Sequence, residues 1–329
     1  MSVTGLARGA ALAESKVRRL RSSGRPLLPA GLLIALLAVI GINDPSFLSA
    51  ESLRLIAAQS APIVMFAVGL TPVILLGAID LSIGALASFC SVLFVLTTPS
   101  LGVFGIVVVI GLAAILGALI GWIHAVAQIP SFVVTLGALG LYSGLALVVS
   151  DAQDQSVGAG ASAFDYLTGF FATIPVTFVL AVCIAAVTAV VLHKTTLGRA
   201  VYAIGSGEAA SVMSGLSPTR TRVVVFSFCS ACAAGASAFL ISGTGFSSPT
   251  LADGYLLYGI AAVLVGGTAI SGGVGSVARS LLGGMVVSVV LAGLVIVGID
   301  PKISDLVFGA VIIAVVSVTT NRRKLTAVK

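Results

Sequence analysis

Ten apolar runs, most of them close to the length that crosses a bilayer, dominate this chain and constrain its fold more than any other feature. In hydrocarbon no water is at hand for backbone N–H and C=O groups, so a spanning segment must pair them internally, and an apolar run of about 20 residues does so as a helix. The runs lie at about 27–43, 53–77, 81–98, 101–124, 130–149, 173–193, 221–242, 255–268, 276–298 and 303–320. Composition points the same way. Apolar residues make up 58% of the chain and charged residues 9%, whereas a soluble domain carries roughly a quarter charged. The expected class is an all-α polytopic membrane protein with one domain over 27–320, a basic tail at 1–26 and another at 321–329.

Charge sets the orientation. With the N-terminus in the cytoplasm and the helices alternating, 15 of the 17 Lys and Arg fall inside, and only Arg54 and Lys302 fall outside. Positive charge favours the inner side of short loops, so both termini are expected in the cytoplasm. The basic residues of the first tail then read as a topology signal and not as a nucleic-acid surface. The apolar run after them has no clear small-x-small cleavage site, which favours a retained helix over a signal peptide. Of the 11 acids, 8 lie outside, which makes the outer face acidic.

Two loops are long: an outer one at 150–172 and an inner one at 194–220. Long ordered loops commonly carry function. The inner loop contains two stretches, Gly198 to Gly205 and "EAASVMSG" (208–215), that predict short surface helices ended by glycine.

"GAIDLSIG", Gly77 to Gly84, places Asp80 between apolar runs. Two readings are compatible. Asp80 caps the helix that starts near Leu81, where a carboxylate suits the free N–H groups and the positive helix end; or it is a polar point on a transport path, since acids within a membrane domain are functional candidates. "LLGAIDLSIG" (75–84) also aligns without gaps with "LVGGTAISGG" (264–273), matching Gly77 to Gly266, Ser82 to Ser271 and Gly84 to Gly273. Both copies run from outside to inside, which would make this a parallel repeat.

The chemistry of enzymes is missing from the pattern. There is no phosphate-binding G-x-x-x-x-G-K-[ST], no H-E-x-x-H and no G-x-S-x-G. Cys229 and Cys232 form a C-x-x-C without a second pair or a His cluster, inside a run of small residues; small residues line packed membrane helices. His124 and His193 stand alone near helix ends. Gly117 and Gly121 form a G-x-x-x-G that fits close helix packing without naming the partner helix. No metal site is expected, and no catalytic residue. Transport is what remains.

Four segments in order then carry a resemblance. They are "SFLSAESLRLIAAQSAPIVMFAVGLTPVILLGAIDLSIGAL" (46–86), "IPSFVVTLGALGLYSGLALV" (129–148), the inner-loop stretch 196–216 that ends in "AIGSGEAASVMSGL", and "GYLLYGIAAVLVGGTAISGGVGSV" (254–277). Together they resemble the permease subunits of bacterial ABC importers for sugars, the ribose, xylose and galactose branch. The resemblance implies a type II ABC importer-like permease in the bacterial inner membrane. It implies a second permease chain, identical or different, two cytoplasmic ATPase subunits that hold ATP and Mg, and a periplasmic sugar-binding protein. No cofactor is implied in this chain. The 196–216 loop would dock in the ATPase, with Glu208, Ala209, Ala210, Ser214 and Gly215 at the contact. Expected pathway residues are Asp80, Ser82, Phe132, Thr135, Ser143 and Thr268. Two departures are visible: the family's late motif often reads G-Y-E-L-D-A-I-A-A, and here positions 256 and 258 are Leu and Tyr; in the docking loop, positions 206 and 207 are Ser and Gly where Gly and Asn are common.

The function expected is ATP-driven import of a monosaccharide or small polyol. Rivals are a proton-coupled sugar carrier with Asp80 as relay, which would need no docking loop, an ABC permease for another solute such as a furanone signal or branched amino acids, and a scaffold without transport.

Overall fold

A computed structural model describes residues 28–296, together with 298, 300, 303, 306–310 and 313. Its helices are α1 (Leu28–Asn43), α2 (Ala50–Leu75), α3 (Ile83–Leu101), α4 (Val103–Val126), α5 (Ser131–Val149), α6 (Val176–Lys194), α7 (Thr196–Ser206), α8 (Glu208–Met213), α9 (Pro218–Thr244), α10 (Tyr255–Val265) and α11 (Val277–Ile296). Seven of them (α2, α3, α4, α5, α6, α9 and α11) are long and apolar enough to cross a membrane. The protein is thus an all-α polytopic membrane protein. The apolar runs predicted between residues 27 and 298 each match a helix to within a few residues. Of the run expected at 303–320, the described residues are 303, 306–310 and 313, and these are helical. The tails at 1–26 and 321–329 lie outside the described residues.

Helices α2 and α9 form the centre. Every residue of α2 from Ser60 to Leu75 is buried, and α9 is buried along most of its length. The packing of α2 on α9, α11, α10 and α6 follows from this. Small residues set the closest crossings. A Cβ on Gly69 of α2 would lie 2.9 Å from Cys232 Cβ and 3.1 Å from the Cys229 carbonyl, so the C-x-x-C is where α9 meets α2. A Cβ on Gly121 would lie 2.8 Å from the Arg222 carbonyl, and one on Gly117 would overlap the Ser230 side chain. The G-x-x-x-G of α4 therefore packs on α9 of the same chain.

Two central helices stop at the same device. Helix α2 ends where Gly77 takes φ +76°, with Gly77 N–H donating to Ile74 C=O (2.9 Å) and Ala78 N–H to Val73 C=O (3.1 Å). Helix α10 ends where Gly267 takes φ +76°, with Gly267 N–H donating to Leu264 C=O (2.8 Å) and Thr268 N–H to Val263 C=O (3.2 Å). Both are Schellman stops, which need a left-handed residue after the helix. The structure thus pairs Gly77 with Gly267, one residue off the Gly77–Gly266 register of the sequence alignment. At 11 residues α10 spans about 16 Å, half of what a crossing needs. Its expected end at 268 moves back to Val265 because of the Gly266–Gly267 stop.

The 150–172 loop is held by a two-residue antiparallel pairing of Gln155–Ser156 with Phe246–Ser247, and by a hairpin that pairs Phe170–Phe171 with Ile174–Pro175.

Candidate functional site

The break after α2 positions Asp80. Its side chain is 1% exposed. Oδ1 accepts from the Ser82 backbone N–H at 2.9 Å and from the Ser82 hydroxyl at 2.6 Å. This is a local turn closed by an Asp on the residue two positions ahead. The expectation that Asp80 caps the free N–H groups of α3 is corrected by one residue: its partner Ser82 is the residue just before the helix, and Ser82 itself makes no side-chain cap. Oδ2 of Asp80 is buried without a hydrogen-bond partner.

Helix α5 holds the same break from the other side. Ile79 N–H donates to Ser131 Oγ at 3.0 Å, and Thr135 Oγ1 lies 3.4 Å from the Ile79 carbonyl. Asp80, Ser82 and Thr135 are therefore neighbours. Ser131, which sequence reasoning missed, joins them; the Pro130–Ser131 start of α5 was its only signal. Phe132 is not part of the group: it stands on the outward side of α5, 54% exposed. Ser143 is half-buried, about 12 Å farther along the same helix.

Thr268 lies in the second break, 3% exposed, with its hydroxyl buried and unpartnered. Gly275 packs on it closely enough that a Cβ there would lie 2.5 Å from Thr268 Oγ1. The two breaks touch. Gly273 N–H donates to the Leu75 carbonyl at 2.8 Å, and a Cβ on Gly272 would lie 2.8 Å from Gly77 N.

A polar group that the sequence did not single out lies along α3. Ser88 Oγ donates to Asp253 Oδ1 at 2.8 Å and accepts from Ala252 N–H at 2.9 Å. Ser91 Oγ lies 3.0 Å from both the Ser247 hydroxyl and the Ser248 carbonyl. A Cβ on Gly84 would meet the Asp253 carbonyl and Leu256 Cβ at 3.2 Å. The 245–254 segment thus runs down the flank of α3, and α10 begins beside its first turn. Ser88 sits about 8 Å from the start of α3 and about 20 Å from its end, so Asp253 lies close to the start of the helix. The signal was an acid immediately before an apolar half-helix, in "LADGYLL".

The 194–220 loop folds into α7 and α8. Helix α8 is short and exposed: Glu208, Ala209 and Ala210 face out, Val212 is 50% exposed and Met213 89%. An apolar tip this open was not anticipated from Glu208, Ala209 and Ala210 alone. Gly215 at φ +81° stops the helix, with Gly215 N–H donating to Val212 C=O and Leu216 N–H to Ser211 C=O. Ser214 turns its hydroxyl back to Ala210 C=O at 2.9 Å. Glu208 Oε2 accepts from Arg222 Nη2 at 2.6 Å and ties α8 to the start of α9. Among the described residues no cluster of His, Cys, Asp and Glu could hold a metal.

Comparison with known proteins decides the family. A model of the branched-chain amino acid transport system permease component matches residues 52–316. The chain belongs to this permease family. It is 34% identical over 301 residues to the ribose import permease of Bacillus subtilis, covering 89% of this chain and 91% of that protein. It is 29% identical over 300 residues to the ribose import permease of Escherichia coli K12, covering 88% and 92%. It is 30% identical over 309 residues to the fructose import permease of Rhizobium meliloti, covering 90% and 85%. No solved structure matches it.

Proposed function

We propose that this protein is the membrane-spanning subunit of an ATP-driven importer for a monosaccharide or a related small polyol. The observation that carries the reading is the full-length likeness to ribose and fructose import permeases, joined to an inner loop that offers an exposed helix with an apolar tip. The chain works in the bacterial inner membrane with both termini in the cytoplasm. A second permease chain completes the path. Two ATPase subunits bind ATP and Mg and receive α8 in a groove. A periplasmic binding protein delivers the sugar to the acidic outer face.

Helix-in-groove docking needs a few apolar anchors on one short element. Val212 and Met213 supply them, with Glu208, Ala209 and Ala210 beside them. Closure of the ATPase pair then moves α8 as a rigid piece. On the sugar side the candidate contacts are Asp80, Ser82, Thr135, Ser143 and Thr268, to which Asp253 is added. Asp253 has one oxygen fixed by Ser88 and an exposed carboxylate, the acceptor a sugar hydroxyl needs. It lies beside the positions where the family's usual acids are replaced by Leu256 and Tyr258.

The test uses the complete complex in proteoliposomes. Binding protein loaded with each of a panel of pentoses, hexoses and polyols is added outside, and ATP hydrolysis is measured. Stimulation by one sugar class supports the reading. Absence of a stable complex with the ATPase, or hydrolysis indifferent to every loaded binding protein, would overturn it.

A further inference from the structure

One place joins the inner loop to both helix breaks, and it is made of backbone. Helix α7 packs its buried face, Ala200, Val201 and Ile204, inward, and its last turn brings Gly205 onto the hydrogen bond that Gly273 N–H gives to the Leu75 carbonyl. A Cβ on Gly205 would overlap the Leu75 oxygen and lie 2.7 Å from Gly273 N. A Cβ on Gly272 would lie 2.8 Å from both the Gly205 carbonyl and Gly77 N, and one on Gly273 would lie 3.1 Å from Ser206 N. Gly77, Gly272 and Gly273 all hold positive φ, which only glycine adopts cheaply. One turn earlier Tyr202 donates its hydroxyl to the Gly275 carbonyl at 3.1 Å, and Gly275 packs on Thr268. Burial raises the Tyr202 phenol above its ordinary value, with Arg279 opposing the rise, so the hydroxyl keeps its proton and its bond at neutral pH.

From this junction, and resting on the ATP-driven reading above, we propose that Gly205 and Tyr202 are positioning residues. They transmit movement of the docking helix α8 to the Asp80 break and the Thr268 break together. Tyr202 is fixed at both ends, its ring on a part-buried helix and its hydroxyl on the Gly275 carbonyl; at Gly205 the reason is stiffness. A long side chain at such a crossing would absorb a displacement by changing rotamer, whereas a close-packed backbone contact has no such freedom and passes the shift on. The link to α8 is one residue, Gly207, bonded into both helices: its N–H donates to the Ala203 carbonyl of α7 at 3.0 Å and its C=O accepts from the Ser211 N–H of α8 at 3.1 Å. Motion of α8 therefore reaches α7 with little slack, and α7 touches both breaks at once.

The experiment measures sugar moved per ATP hydrolysed, in proteoliposomes holding the complete complex. Tyr202→Phe removes one oxygen and leaves the packing in place. Gly205→Ala forces α7 off the junction. Gly111→Ala, at a position on α4 with nothing within 4 Å, is the control. Tyr202→Phe is expected to assemble normally and to hydrolyse ATP at close to the wild-type rate, while sugar per ATP falls about fivefold, the factor one ordinary hydrogen bond supplies. Gly205→Ala is expected to fall further, and the control to match wild type. An unchanged ratio in an assembled Tyr202→Phe complex overturns the proposal while the wild type still transports. A wild type that moves sugar without ATP overturns the ATP-driven reading itself and the proposal with it.

Discussion

Replacing Ser82 by Ala removes the strongest hydrogen bond at the first break. The Ser82 hydroxyl meets Asp80 Oδ1 at 2.6 Å, the shortest contact at the break. The carboxylate is 1% exposed and its other oxygen has no partner, so the loss leaves only the Ser82 N–H bond at 2.9 Å. A typical intramolecular hydrogen bond contributes about 0.5–1.5 kcal/mol. Ser82→Ala should therefore destabilise the folded permease by about 1 kcal/mol. Thermal unfolding in detergent reads this as a lower midpoint. Ser82→Thr keeps a hydroxyl and should recover most of the loss. Asp80→Asn keeps an acceptor for both Ser82 donors and should cost less than Ser82→Ala. Equal stability of Ser82→Ala and wild type would refute the reasoning, because the contact would then hold nothing in place.

Gly117→Val should lower stability by about 1–3 kcal/mol, the usual range for overpacking, because its side chain would drive α4 off Phe226 and Ser230 of α9; Gly111→Ala should leave the midpoint unchanged or raise it. Met213→Asp should leave the midpoint unchanged, since the side chain is 89% exposed, yet reduce co-purification of the ATPase subunits. Glu208→Ala leaves the Arg222 side chain, only 12% exposed, without its partner and should cost about 1–3 kcal/mol, whereas Glu208→Arg adds a like charge facing Arg222, so comparison of the two separates docking from repulsion. Asp253→Asn should assemble and fold as wild type while uptake at low sugar falls, measured as initial rate against concentration of loaded binding protein.

The spans were legible because a bilayer-length apolar run has one stable outcome, and the helices from Leu28 to Ile296 follow it. The stop at Val265 was less so: the run passes into Gly266-Gly267-Thr268, whose composition does not say where the helix ends, and the left-handed Gly267 ends it. The repeat register shifted by one because identity favours Gly77 with Gly266, whereas a Schellman stop requires the left-handed residue, which is Gly267. Gly205 reads in the sequence as a helix stop, but α7 runs through it to Ser206, and its place at the junction left no trace. The junction is built from N–H and C=O groups that every residue carries, and a glycine there looks like any other. The Ser88–Asp253 pair is 165 positions apart, and no local pattern links them. Phe132 and Thr135 share one motif, yet only Thr135 faces the break, because three residues along a helix do not fix which side meets a neighbour of unknown place.

The central claim is that ATP hydrolysis in partner subunits drives sugar through this chain. Uptake of labelled sugar into proteoliposomes is the direct measurement, with loaded binding protein outside and ATP inside, and with a proton gradient imposed or collapsed. Uptake is expected to require ATP and to ignore the gradient. Uptake that persists without ATP and stops when the gradient collapses would overturn ATP-driven import and assign the work to Asp80 as a proton relay.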